Sequence, residues 1–435
     1  MLPDTFMVCL VYFQDYFTQP SFQRFLTLMT GWILCISKHT VTGVIRAAGV
    51  VGKREHGGYH RFFNTAAWSV DEVGLALMRL ILTLLPDDSI VRLTVDDTLA
   101  RHTGKHIAAA GMHRDPLLST AKKPFFHFGH QWVVLSVVIG FTWGKLFSLP
   151  VLVRLYRTEK LNKKLRRPHE KKTQLADDML QLVAETFTDR QFLVIGDNAY
   201  MNRSVIRPLP GSMHFLGRGR MDAALYAQPK RNKKGRPSVR GQRVASPQWR
   251  AAHTQWKTID ACIYGRMCKV KVQVFDALWY IVGRDRMLRF VLIRDWPGHK
   301  KDDVLVTTDL SMSAEQVIEN YCARWSLEET FEWVKGRLGF EDPQNRKEKA
   351  VERTAPMALW AYSLIVYWYI QWSKGRRYLP FRIDPWNRSK NKPTFADMLA
   401  TLRREGWKVF VSDRAVKGRF DRKYLEPLLE IAANG

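Results

Sequence analysis

The segment from Tyr321 to Gly339, YCARWSLEETFEWVKGRLG, constrains this chain more than any other. Wound at about 3.6 residues per turn, it projects Tyr321, Arg324, Glu328 and Lys335 at roughly 0°, 300°, 340° and 320°. All four then share a face about 60° wide and about 21 Å long, from a rise of ~1.5 Å per residue. A surface helix normally turns one apolar stripe to its core. This one adds a stripe of tyrosine, arginine, carboxylate and lysine. One carboxylate among fixed cations suits a metal ligand beside phosphates. The same stripe also fits a solvated face with helical ion pairs, such as Glu328 with Lys335 two turns on.

The charge balance says what such a face would meet. The 435 residues carry a formal charge of +27, beyond what solubility needs. Nucleic acid is the commonest partner of so basic a protein. A hydrophobic content of 46% implies folded cores rather than a disordered basic tail. The five cysteines form no CxxC and no Cys/His cluster of zinc-finger spacing, so neither structural zinc nor a disulfide framework is expected. A reducing cytoplasm fits, and Asp4 with no basic n-region gives no secretory signal. The membrane-like run from Ala355 to Trp372 contains Pro356, Ser363 and Gln371 and continues a charged helical stretch. It reads as a buried core helix rather than a span. With no Gly-rich phosphate loop, no small-molecule substrate is expected.

Along the chain, residues 1–88 read as short helices, with Phe22, Phe25, Leu26 and Met29 at helical spacing and Ser69 as a cap. Lys38, Arg46, Lys53, Arg54, His60 and Arg61 there suit either a helix-turn-helix type DNA-binding domain or a subdomain that only packs. From Ser89 the period changes. IVRLTV reads as a strand ending in Asp96-Asp97-Thr98, and residues 130–141 and 146–156 as two more, in an antiparallel meander. Nine Lys/Arg fall within 154–172, before a helix from Gln174 to Phe187 capped by Thr173. QFLVIG then reads as a buried strand ending in Asp197. A β-rich segment follows over 218–310. It includes a turn-rich loop, 227–244, with seven Lys/Arg and no acid, among them Lys230, Arg231, Lys233, Lys234 and Arg236. Residues 311–375 hold the Tyr321 helix and the apolar run, and 376–435 are basic and partly helical.

Asp96/Asp97 and Asp197 share a context, each closing a short apolar strand. Strand ends of α/β sheets are where ligand sites form. A lone strand-end aspartate is more often a turn former or helix cap. Two such positions plus a carboxylate on a later helix make a set of oxygen donors suited to Mg²⁺, with Mn²⁺ as a substitute. Paired ions of that kind activate water or a 3′-hydroxyl in phosphodiester chemistry.

At these residues the sequence resembles the DDE transposases of bacterial insertion sequences, the cut-and-paste group. The helix signature Y-x2-R-x3-E-x6-K is met by Tyr321, Arg324, Glu328 and Lys335, with Trp325 and Phe331 completing RW-x2-E-x2-F. D-x-[GA]-[YF] is met by Asp197, Ala199 and Tyr200, and D-x-T by Asp96 and Thr98. The resemblance spans about residues 60–372. It implies an α/β fold with an RNase H-like catalytic core, a mixed five-stranded sheet flanked by helices. The core would be split as 89–217 and 311–375 around the β-rich insertion 218–310, behind the helical N-terminal domain 1–88. It implies Asp96, Asp197 and Glu328 as catalytic metal ligands. Asp96 is favoured over Asp97, whose side chain leaves the opposite face of an extended strand. Arg324, Lys335 and Tyr321 would contact DNA phosphates, the basic loop at 230–243 would track DNA backbone, and Trp279 or Trp296 would stack on a flipped base. Double-stranded DNA, both transposon ends and target, is the implied partner, with a homodimer in the synaptic complex. The rival expectations are an RNase H-like nuclease without strand transfer and a non-catalytic transposase-derived DNA-binding protein.

Overall fold

Helical spacing of apolar residues builds the first five helices: α1 (Asp4–Val11), α2 (Gln19–Leu34), α3 (Val41–Ala47), α4 (Gly57–Asn64) and α5 (Val70–Leu82). Phe22, Phe25 and Met29 are buried on one side of α2, with Leu26 half-buried beside them. Ser69 caps α5 by accepting a hydrogen bond from the Glu72 amide, as its position before the apolar run predicts. Lys38, Arg46, Lys53, His60 and Arg61 are exposed, and Arg54 lies outside the described residues. The structure, a computed structural model, describes residues 2–415 except 54, 105, 116, 117, 121, 141–143, 230–237, 300, 377, 378, 380, 382, 384–387 and 389.

A mixed sheet follows. Its strands are β1 (Val91–Arg101), β2 (Gly111–Arg114), β3 (Phe126–Gly140) and β4 (Leu146–Tyr156), then β5 (Phe192–Gly196) and β6 (Met213–Arg218). Helices α6 (Glu159–Lys164), α7 (Lys172–Thr186) and α8 (Arg203–Ile206) connect them. β1, β3 and β4 form the expected antiparallel meander, and β5 and β6 run parallel to β1 in the order β4-β3-β1-β5-β6. α7 starts at Lys172, one residue earlier than its predicted cap at Thr173, with the Gln174 side chain folded back onto the Lys171 amide.

The next segment contributes β7 (Leu225–Tyr226), β8 (Arg243–Val244), α9 (Pro247–His253), β9 (Lys257–Ile263), β10 (Arg266–Leu278), α10 (Tyr280–Gly283), β11 (Met287–Arg294) and β12 (Asp303–Thr307). β12 pairs with both β6 and β11, so these strands extend the same sheet to twelve among the described residues. The chain then forms α11 (Ala314–Cys322), α12 (Trp325–Arg337), α13 (Glu348–Ser373) and α14 (Phe395–Ala415).

Helix α13 is the apolar run. Its residues from Thr354 to Tyr369 are all buried, as expected of a core helix. It lies along β4, where Pro150 and Val151 sit at a bulge opposite Leu135 and Ser136. A proline is tolerated in a strand at such a position. The carbonyls exposed on β4 are met by helix side chains: Thr330 donates to Ser148 O, Ser363 to Pro150 O and Trp360 Nε1 to Val151 O. The edge that would otherwise invite another strand is thereby closed by α12 and α13. Arg353 pins α13 to the N-terminal helices by donating to the carbonyls of Ala66 and Trp68.

Candidate active site

Strand β1 carries the first acidic pair, but not at its end. It continues to Arg101 because β3 pairs with it from Leu93 onward, whereas the parallel neighbour β5 stops at Gly196, opposite Val95. Asp96 and Asp97 therefore lie where the sheet loses one neighbour and opens a notch. Asp197 follows β5 directly at that notch. Its Oδ1 accepts from the Ala199 amide at 2.8 Å, a local turn that fixes the carboxylate.

The two neighbouring aspartates do different work because strand alternation points them to opposite faces. Asp97 accepts from the side chains of Lys172 at 2.7 Å, Tyr200 at 3.2 Å and Gln131. These donors engage both of its oxygens and lock β1 to β3 and to the start of α7. Asp96 turns toward α12, where its Oδ2 accepts from Arg324 Nη1 at 2.9 Å. Arg324 Nη2 lies 2.6 Å from Glu328 Oε1. One guanidinium thus joins the strand carboxylate to the helix carboxylate.

The helix that presents these groups is not continuous. Between α11 and α12 the ladder tightens to bonds three residues apart, Ala323 to Asn320, Arg324 to Tyr321, Ser326 to Ala323 and Leu327 to Arg324. Tyr321 belongs to the first helix and Glu328 and Lys335 to the second, with Arg324 at the junction. The predicted single face is bent there. Tyr321 packs its ring against Trp296 and under the Arg324 guanidinium, 5.8 Å from the ring centre.

A chain of buried hydroxyls sets the position of α12. Ser326 Oγ donates to Ala323 O at 2.7 Å, so its 2.6 Å contact with Ser148 Oγ must use the Ser148 proton. Ser148 then accepts from Thr94 Oγ1 at 3.0 Å. The proton order runs Thr94 to Ser148 to Ser326 to Ala323 and ties β1, β4 and α12 together two residues before Glu328.

The electrostatics follow from this crowding. Burial, with Asp197 and Asp97 nearby, pushes the Asp96 carboxyl up to about 7 despite Arg324. Burial likewise raises Asp197, with Asp97 adding to it and Arg324 opposing. Burial disfavours charge on Arg324, but Tyr321, Asp96 and Glu328 outweigh it and hold the guanidinium protonated more firmly than usual. Arg324 Nε is buried with no hydrogen-bond partner.

Three carboxylates are the right donor type for a hard divalent cation. Yet no three acidic, histidine or cysteine side chains among the described residues stand close enough together to hold one as they lie. Arg324 stands between two of them. The donor chemistry suits a divalent cation, and the Arg324 guanidinium occupies the position between Asp96 and Glu328.

The remaining predicted residues distribute as follows. Lys335 is half-buried, burial lowers its pKa against the pull of Glu341, and among the described residues it has no ion-pair partner. It lines a cavity of about 260 Å³ with His39, Arg337 and Arg403, between α12, α14 and the α2–α3 turn. Lys230, Arg231, Lys233, Lys234 and Arg236 lie outside the described residues. Trp279 and Trp296 are buried at 5% and 3% exposure. The open aromatics beside the site are Trp325 and Tyr264, about half exposed and edge to face at 6.2 Å. Several cations of the basic 154–172 stretch are occupied: Arg154 with Asp71, Arg157 and Arg167 with Glu348, and Lys172 with Asp97. His102 and His130 bond each other at 2.9 Å, and His130 bonds Ala108 O, apart from the carboxylates.

Lys172, Gln131 and Tyr200 as partners of Asp97 escaped the sequence reading. Only the alternation of faces along β1 hinted that Asp97 needed partners of its own.

No helix among the described residues is long and apolar enough to cross a membrane. No curated protein matches the chain. A family model described as a DDE superfamily endonuclease matches residues 12–271, more than half of its length, a span that holds Asp96, Asp97 and Asp197 and stops short of Glu328. Endonucleases of this superfamily generally use divalent metal ions. The chain belongs to the DDE endonuclease superfamily.

Proposed function

We propose that this endonuclease is a DNA transposase that binds terminal inverted repeats, cleaves DNA by metal-dependent hydrolysis and joins the 3′-hydroxyl ends to target DNA. The observation that carries the reading is the meeting of Asp96 and Glu328 on one guanidinium, 232 residues apart in sequence, with Asp197 beside them. The strand order β4-β3-β1-β5-β6, with β5 and β6 parallel to β1, supports an RNase H-like core, and the strands of 218–310 an insertion grafted onto its edge.

Asp96, Asp197 and Glu328 would hold the divalent ions, Mg²⁺ or Mn²⁺. Such ions supply the Lewis acidity that activates water or a 3′-hydroxyl and stabilises the leaving oxygen. The chain's own residues do the positioning. Asp97, held by Lys172, Gln131 and Tyr200, keeps β1 fixed beside the notch. The Thr94–Ser148–Ser326 chain fixes the helix that carries Glu328. Arg324 and Lys335 engage DNA phosphates at the cleaved end. Trp325 and Tyr264 offer an aromatic face to a base beside it. The basic loop at 230–243 adds salt-dependent contact to backbone. Two ends brought together require two protomers, so a homodimer on DNA is part of the reading.

The test is strand transfer. Pre-cleaved duplex ends with a free 3′-hydroxyl, incubated with the protein, a plasmid and Mg²⁺, should become joined to the plasmid. Cleavage without joining would leave a nuclease, and neither reaction from folded protein would leave a DNA-binding protein.

A further inference from the structure

We propose that Arg324 is an internal counter-ion which fills the cation position between Asp96 and Glu328 in the free protein, and that its transfer to a DNA phosphate frees that position for metal. Metal binding and DNA binding are then coupled through one side chain. This rests on the reading of Asp96, Asp197 and Glu328 as metal ligands.

Four observations converge on it. The guanidinium makes one contact to each carboxylate, 2.9 Å to Asp96 and 2.6 Å to Glu328, so a second cation between them meets a fixed positive charge. Its Nε is buried and unbonded, which marks a guanidinium held by its ends rather than fully satisfied. Arg324 sits at the α11–α12 junction, outside the regular hydrogen-bond ladder of either helix. And α12 is tethered independently of it, through Ser326 to Ser148 and Thr330 to Ser148 O. The side chain can therefore swing while Glu328 stays in place.

The physical logic is substitution of one cation for another. Leaving Asp96 and Glu328 unpaired in this half-buried notch is costly, so Arg324 leaves readily only if a phosphate receives it and a divalent ion replaces it. A guanidinium accepts a phosphate in bidentate fashion, which makes DNA the natural receiver. Coupling of this kind is reciprocal: whatever factor DNA adds to metal affinity, metal adds to DNA affinity. The device weakens metal loading by the carboxylates, and so cutting, in the absence of an engaged end.

Calorimetric titration of Mn²⁺ into the DNA-free protein reads the first half. Arg324→Gln should bind Mn²⁺ at least about tenfold more tightly than the unaltered protein, within the usual range of such couplings. Arg324→Lys, which keeps a charge but cannot bridge both carboxylates, should fall between. It carries the comparison if the glutamine variant misfolds by near-UV circular dichroism. Fluorescence anisotropy of a labelled duplex reads the second half. Ca²⁺ should tighten DNA binding by the unaltered protein, and that increment should vanish in Arg324→Gln. Mn²⁺ binding that is equal or weaker in the variants, alongside clear binding by the unaltered protein, overturns the counter-ion role and leaves the ligand assignment standing. No Mn²⁺ binding by any folded form, the variants included, overturns the ligand assignment itself.

Discussion

Removing the Ser148 hydroxyl tests how the site is positioned. In Ser148→Ala the Thr94 hydroxyl, fully buried, keeps a proton with no acceptor, and Ser326 loses its donor. An unmet buried donor costs about 1–3 kcal/mol and a lost neutral hydrogen bond about 1 kcal/mol. The expected loss of stability is therefore about 2–4 kcal/mol. Thr94→Val keeps the shape and removes only a donor, leaving the Ser148 proton on Ser326, and should cost about 1 kcal/mol. The double variant should cost less than the sum, because the stranded proton of Thr94 is gone with its owner. Urea unfolding of the four proteins gives the stabilities. Mn²⁺-dependent nicking of duplex DNA should fall about tenfold to a hundredfold in Ser148→Ala, as α12 loses its tether beside Glu328. Thr94→Val as costly as Ser148→Ala would mean that the protons run in the opposite order, from Ser148 to Thr94.

Other outcomes follow from the same geometry. Glu328→Gln should abolish cleavage while duplex binding persists, seen by gel shift and nicking in parallel; loss of binding with no separate chemical defect would instead indicate a solvated ion-paired face. Lys335→Ala, with no ion pair to lose among the described residues, should weaken the complex at the cleaved end without lowering the melting temperature, read by footprinting and calorimetry. His130 is buried, and burial holds its pKa at about 3 against an ordinary 6.5. The unfolded chain binds the proton first as pH falls, so stability is full above pH 6.5 and declines toward pH 3. The total is on the order of 5 kcal/mol at ~1.4 kcal/mol per pKa unit. His130→Gln should flatten that acid limb in pH-dependent melting, and an unchanged limb would contradict the neutral His130–His102 pair.

Local chemistry made much of this legible in the sequence. The meander was readable because β-branched runs around residues 130–141 and 146–156 are long and bounded by turn residues. Ser69 announced α5, and the apolar run at 355–372 announced α13, where the polar Ser363 proved to serve the exposed carbonyl of Pro150. What escaped depended on distant partners. Nothing local says that β1 continues past Asp97, since only its pairing with β3 carries it on to Arg101. Nothing local breaks the helix at Ala323–Arg324 either. Arg324 is a good helix former, and the tightened turn accompanies its reach to Asp96 on a strand 228 residues earlier. Tryptophans could not be sorted by composition: Trp296 packs on Tyr321 while Trp325 stays open.

On the proposed reading, Asp96, Asp197 and Glu328 together hold divalent metal once Arg324 is drawn away. A crystal of the protein with a duplex end, grown in Mn²⁺ and measured at the manganese absorption edge, tests it most directly. Anomalous density should appear between Asp96, Asp197 and Glu328, with the Arg324 guanidinium on a phosphate. Anomalous density elsewhere, or none with the end bound and Arg324 still bridging Asp96 and Glu328, would contradict it.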